Sequence, residues 1–191
     1  MSGADAGGRP GERGADTRTR ILRIAAELFA RRGYGGTSMR DIAERLGTSK
    51  QALAYWFPHK EDLLAALVEP TIDALDAVLD RAEAERTPPE PLLRAFLAAT
   101  IGTPGLAAPM DVPGVLQADD RYSVSARLDR LAGLLAGPAA GTDQVLRAHA
   151  AIGALQSGLQ AAARVGPPSS DSLRTAIDVL VPAAVAALGR G

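Results

Sequence analysis

From Ile21 onward the apolar residues recur three or four positions apart: Ile21, Ala25, Leu28 and Phe29, then Met39, Ile42, Ala43 and Leu46. That period belongs to helices with one buried face. The punctuation between the runs agrees with it. Asp16 or Thr17 can cap a first helix, and Gly33 suits its left-handed stop. Thr37 or Ser38 caps a second helix, Gly47 makes a turn, and Thr48 or Ser49 caps a third that runs to Phe57, where Pro58 stops it. A fourth helix is predicted over 59–69, with Pro70 kinking it or beginning the next, over 71–86, on Ile72, Leu75, Leu79 and Ala82. Pro88 and Pro89 break the chain, and 91–101 is helical again through Leu93, Phe96 and Leu97. Residues 102–114 hold three prolines and three glycines and read as an irregular loop. Short helical stretches near 115–118 and over 123–136 follow, then two long helices over 142–165 and 169–188. No segment alternates with period two. The fold class is all-α: an N-terminal three-helix helix-turn-helix domain and a C-terminal helical domain.

Composition narrows the choice further. Apolar residues make up 47% of the 191 but aromatics only 4%, so the core is built from Ala, Leu and Val. The length suits one small and one medium domain: an arm over 1–15, Gly-rich, polar and expected to be disordered, a helix-turn-helix domain over 16–62, and a larger helical domain over 63–191. There is no cysteine, and the two histidines, His59 and His149, stand apart, so no metal site, cofactor motif or catalytic constellation is expected and enzyme activity is not. The first fifteen residues lack the apolar run of a secretory signal, and the longest apolar run, 179–188, is broken by Pro182 and too short to span a bilayer. A soluble, cytoplasmic protein without membrane contact is expected. The formal net charge of −1 hides an asymmetry: residues 1–60 hold 11 Lys/Arg against 6 Asp/Glu, and the remainder holds 10 against 16. A basic front suits phosphates.

The chemistry concentrates in Thr37–Leu64, TSMRDIAERLGTSKQALAYWFPHKEDLL. A helix, a glycine turn and a second short helix form the unit that places one helix in the DNA major groove. Thr48, Ser49, Lys50 and Gln51 are free to point outward at the start of that helix. Lysine can donate to guanine or to phosphate, and glutamine can pair with adenine in bidentate fashion. Thr48 and Ser49 also serve as caps. Tyr55 and Trp56 are adjacent, so at least one is partly exposed. The Tyr55 hydroxyl is placed on a phosphate, and Trp56 against a neighbouring helix. Thr37, Ser38 and Arg40 open the second helix, and Lys60 the fourth, where free N–H groups attract phosphate; Arg40 can instead pair with Glu44.

These residues resemble a known family. Gly33-Tyr34, Thr37 to Ala43, Gly47, Ser49, Leu53, Phe57-Pro58 and Lys60-Glu61 with Leu63-Leu64 are similar, in order and spacing, to the DNA-binding domain of tetracycline-repressor-type (TetR) transcriptional regulators. The resemblance covers about residues 19–64. It implies a double-stranded DNA operator as partner, an all-helical sensor domain, a homodimer, and that Thr37, Ser38, Lys50, Gln51, Tyr55 and Lys60 face DNA. One position departs: the family usually has tyrosine directly after the leucine of the third helix, and this chain has Ala54. That motivates an alternative, a protein-interaction module on the same fold that no longer reads sequence.

In the second domain, Ala150, Ala154 and Gly158 form a small-residue row on one helix, and the last helix carries Ile177, Val181, Ala184 and Val185 on a wide apolar stripe. Two such helices per subunit would make a four-helix dimer interface; the competing reading is that they complete the monomer core. Gln117, Tyr122, His149, Gln156 and Gln160 are the candidates for orienting a mostly apolar small-molecule effector. Such an effector would release a repressor by shifting the fourth helix.

Overall fold

The computed structural model describes residues 10–101, 122–165 and 170–189. These form helices and connecting turns, with no strand among the described residues. The helices are α1 (Pro10–Arg32), α2 (Met39–Leu46), α3 (Lys50–Trp56), α4 (Lys60–Glu85), α5 (Pro89–Ile101), α6 (Val124–Ala136), α7 (Thr142–Val165) and α8 (Ser170–Ala187). The predicted helix near 115–118 lies outside the described residues. The chain divides into two compact units, Met1–Leu67 and Val68–Gly191.

Two boundaries differ from the sequence reading. α1 begins at Pro10 rather than near Asp16, so residues 10–15, placed in the arm, are helical. Proline fits the first turn, where its missing N–H has no partner to lose. The fourth and fifth predicted helices are one: α4 runs through Pro70. Proline's fixed φ is a helical one, and the lost N–H bond is a single rung of a 26-residue helix.

In the first unit Ile21, Ile24, Ala25 and Leu28 of α1 bury against Ile42 and Ala43 of α2, Leu53 and Phe57 at α3, and Leu63 of α4. In the second unit Leu79, Leu93, Leu97, Leu131, Leu135, Ala151, Leu155 and Val181 centre a core drawn from α4 to α8. An ionic ladder runs beside it. The Arg127 guanidinium donates to both carboxylate oxygens of Asp76 (2.9 and 2.5 Å) and to the Ser123 carbonyl (3.0 Å). Arg130 bridges Asp80 (2.8 Å) and Glu83 (2.7 Å) one turn further on. The side chain of Arg127 is only 11% exposed, that of Arg130 36%. We therefore expect Arg127→Gln to cost about 2 kcal/mol in urea unfolding, because it removes a largely buried, bidentate guanidinium, and Arg130→Gln under about 1 kcal/mol. Equal costs would show that burial of the pair contributes nothing.

No helix among the described residues is long and apolar enough to cross a membrane. No group of three or more potential metal ligands occurs among them.

Candidate nucleic-acid interface

α2 and α3 are held by their caps. Ser38 caps α2, its hydroxyl accepting from the Asp41 N–H (3.2 Å) while Asp41 accepts from the Ser38 N–H (2.8 Å). This reciprocal box leaves Asp41 below the usual carboxylate range, chiefly through its hydrogen bonds from Ser38. Gly47 ends α2 at φ 72°, a left-handed conformation that glycine adopts without strain. Ser49 then caps α3, accepting from the Ala52 N–H (3.1 Å). Cap, glycine and cap within twelve residues fix the angle at which α3 leaves the turn.

α3 buries Leu53, and Phe57 just beyond it, and presents Lys50, Gln51, Ala52, Tyr55 and Trp56 to solvent. Tyr55 is 82% exposed, and its ring meets Trp56 edge-on with centroids 5.6 Å apart. Tyr55 therefore faces outward, whereas Trp56 is 36% exposed, with the larger part of its surface covered. Adjacent helix positions diverge by about 100°, and Leu53 and Phe57 already occupy the inner side.

Thr48, Ser49 and Ser38 are exposed, with the last two hydroxyls committed to capping. Arg40 is exposed and donates to Glu44 at 2.8 Å, a surface bridge that yields readily to a phosphate. Glu44 holds the Arg40 guanidinium above its usual range.

Two predicted DNA contacts are corrected. Thr37 is 2% exposed. Its hydroxyl is aimed at the carbonyls of Gly33 (3.0 Å) and Leu28 (3.3 Å), which ties it to the C-terminal end of α1. Lys60 is also turned inward. Its ammonium donates to the carbonyls of Tyr34 (2.9 Å) and Thr37 (3.1 Å) and lies 3.9 Å from the centroid of the Tyr34 ring. These partners occupy the ammonium that the sequence reading offered to a phosphate.

Tyr34 and Glu61 were missed from sequence. The Tyr34 phenol donates to Glu61 (3.1 Å), and burial, then that hydrogen bond, pushes its pKa up to about 12. Nothing in a local pattern pairs positions 26 or 27 residues apart. Arg45, exposed in the last turn of α2, was also passed over; it makes no ion pair among the described residues.

In the second unit the candidates separate. Val181 and Ala184 are buried in the monomer core, and Ile177 and Val185 pack against it. Gly158 also serves the monomer: a Cβ there would run into the Leu180 side chain, so the glycine lets α7 and α8 approach. These five predicted interface residues are accounted for within one chain. Ala150 and Ala154 remain exposed, aligned with Leu146, which is 63% exposed. Val179 of α8 is equally exposed.

Of the effector candidates, Gln117 lies outside the described residues. Tyr122 is buried, its phenol 3.4 Å from Glu69. His149 and Gln160 are exposed and Gln156 half-buried. Each follows an inner residue of α7 (Ala148, Leu155, Leu159), which rotates it about 100° off the core stripe. Among the described residues, His149 and Gln160 do not line the interior of this unit.

Residues 21–67 match the family model described as bacterial regulatory proteins, tetR family. The chain is 42% identical over 53 residues to the HTH-type transcriptional regulator RutR of Escherichia coli K12, covering 28% of this chain and 25% of that one. It is 40% identical over 58 residues to the HTH-type transcriptional repressor KstR2 of Rhodococcus jostii RHA1, covering 30% and 28%. The matched segment thus spans about a quarter of the length of these relatives. The similarity of fold extends further: a TetR-family transcriptional regulator, PfmR of Thermus thermophilus, superposes with a TM-score of 0.64 at 26% identity over 89% of this chain and 97% of that one.

Proposed function

We propose that this chain, a TetR-type regulator by the match of its residues 21–67, binds an operator as a homodimer and represses transcription until a small molecule releases it. One observation carries the DNA-binding reading. α3 is capped, anchored by Leu53 and Phe57, and turns Lys50, Gln51 and Tyr55 outward on a frame shared with named regulators. A helix that spent these residues on packing could not read a groove. Two copies are required because a single helix-turn-helix contacts only one half-site, and the exposed Leu146, Ala150, Ala154 and Val179 offer apolar surface for the second.

Release by a small molecule rests on the family resemblance and on the separate helical unit that contains Tyr122. Thermodynamically, the effector must bind the DNA-incompetent state more tightly than the competent one. Tyr122 stays in this reading as a buried polar group; His149, Gln156 and Gln160 carry less of it, and Gln117 lies outside the described residues.

The test is a titration of the protein against DNA from upstream of its own gene, beside a shuffled competitor, at two salt concentrations. Preference for the native fragment that survives higher salt is the expected result. Equal binding to both, erased by salt, with no preferred site emerging from a random duplex pool, would reject sequence reading. It would favour the interaction module suggested by Ala54, which is half-buried and leaves only a methyl where the family has a phenol.

A further inference from the structure

We infer that the half-site is centred on A·T pairs, with Gln51 reading an adenine and the methyl groups of Ala52 and Ala54 receiving thymine methyls on either side. The inference rests on the DNA-binding reading above and goes beyond it to the bases.

The geometry of α3 selects these residues. Leu53 and Phe57 mark its inner side. At about 3.6 residues per turn, Gln51 and Tyr55 lie one turn apart on the opposite side, with Ala52 and Ala54 flanking that ridge. Ala52 is exposed and Ala54 half-exposed. Lys50, three residues before Leu53, starts on the flank nearer the core, so its charge reaches the groove wall, where phosphates lie. The surface that enters the groove thus holds one amide, one phenol and two methyl groups.

Each base pair meets that surface differently. The Gln51 amide carries one donor and one acceptor, and it makes no hydrogen bond to the protein among the described residues. Adenine offers the matching acceptor and donor, N7 and the N6 amine. Guanine offers two acceptors, so the amide oxygen would face an acceptor unpaired. Thymine's partner edge adds a methyl that an alanine can cover. Ala54, half-exposed on the other flank, offers its methyl for the same kind of contact. Tyr55, 82% exposed and held edge-on by Trp56, reaches past the bases to the backbone.

The experiment is selection by the full-length protein from two random duplex pools, one containing thymine and the other uracil in its place. The expected product of the thymine pool is a repeated half-site with adenine at one fixed position beside thymines. The selected duplex should bind about fourfold more weakly for each contacted thymine replaced by uracil. Gln51→Ala should remove the adenine preference, worth about fivefold to a hundredfold in discrimination, while leaving the salt dependence unchanged. Selected half-sites with G·C at these positions would overturn the inference and transfer base reading to Lys50. Equal affinity for thymine and uracil duplexes would overturn it too. A pool that enriches nothing would instead overturn the DNA-reading function on which the inference stands.

Discussion

Lys60→Gln should weaken operator binding without flattening its dependence on salt. A lysine that contacts phosphate releases about one counterion, so its loss lowers the slope of log K against log salt by about one. Lys60 is not placed to do this. Its ammonium is held by the carbonyls of Tyr34 and Thr37 and by the Tyr34 ring. Losing two charge-assisted hydrogen bonds should cost about 2–3 kcal/mol of stability in the first unit. Affinity then falls because the loop entering α2 loosens and α2 no longer fixes α3. Lys60→Arg separates the two roles further. An arginine would keep a phosphate contact, but its planar fork cannot place donors where the tetrahedral ammonium does. Arginine should therefore destabilise nearly as much as glutamine, by chemical denaturation of both variants. A reduced salt slope with full stability would return Lys60 to the DNA surface. Tyr34 titrates near 12, above the value of about 10 for a free phenol, so its contribution is complete below pH 10 and is lost only as pH rises from 10 to 12.

Lys60 also shows where sequence stopped being informative. The helix-turn-helix was legible because each signal is local: Ser38 and Asp41 three residues apart, Gly47 at a left-handed turn, Ser49 before an apolar pair at Leu53 and Phe57. These act over a few bonds and need no tertiary context. A helix-start lysine satisfies the same local rules whether it faces solvent or folds back on a loop. Only the packing of Tyr34 beside it, far away in sequence, decides. Thr37 failed for the same reason. As a threonine before an apolar run it resembles a cap, yet Ser38 takes that position and Thr37 serves the end of α1.

The second unit was legible as helices and not as surfaces. α7 is Thr142–Val165, the range the periodicity predicts. Its rows of small residues are ambiguous by nature, since a small side chain permits close approach from either side. Gly158 is occupied by Leu180 of the same chain, while Ala150 and Ala154 are exposed. A wide apolar stripe on α8 likewise does not say which of its edges turns inward. The structure gives Val181 and Ala184 to the core and leaves Val179 outside.

That division separates folding from assembly in a pair of variants. Val181→Asp places a carboxylate where no solvent reaches, among the apolar side chains of the core. The chain should lose several kcal/mol, about 3–5, and fail to fold at moderate temperature. Leu146→Glu puts a similar charge on a residue already 63% exposed, so monomer stability should change by less than about 0.5 kcal/mol. If the row of Leu146, Ala150 and Ala154 joins two copies, the same charge is desolvated twice across a two-fold axis, once from each partner. Sedimentation should then show a folded monomer. Operator affinity should fall about a hundredfold or more, because two half-sites no longer bind as one unit. Melting separates the outcomes: Val181→Asp removes the transition, whereas Leu146→Glu leaves an intact helical spectrum with a concentration-independent Tm. A Leu146→Glu protein that stays dimeric and binds its operator fully would place the interface elsewhere. In that case the exposed row on α7 has no role in joining copies, and the small residues at 150 and 154 reflect helix propensity alone.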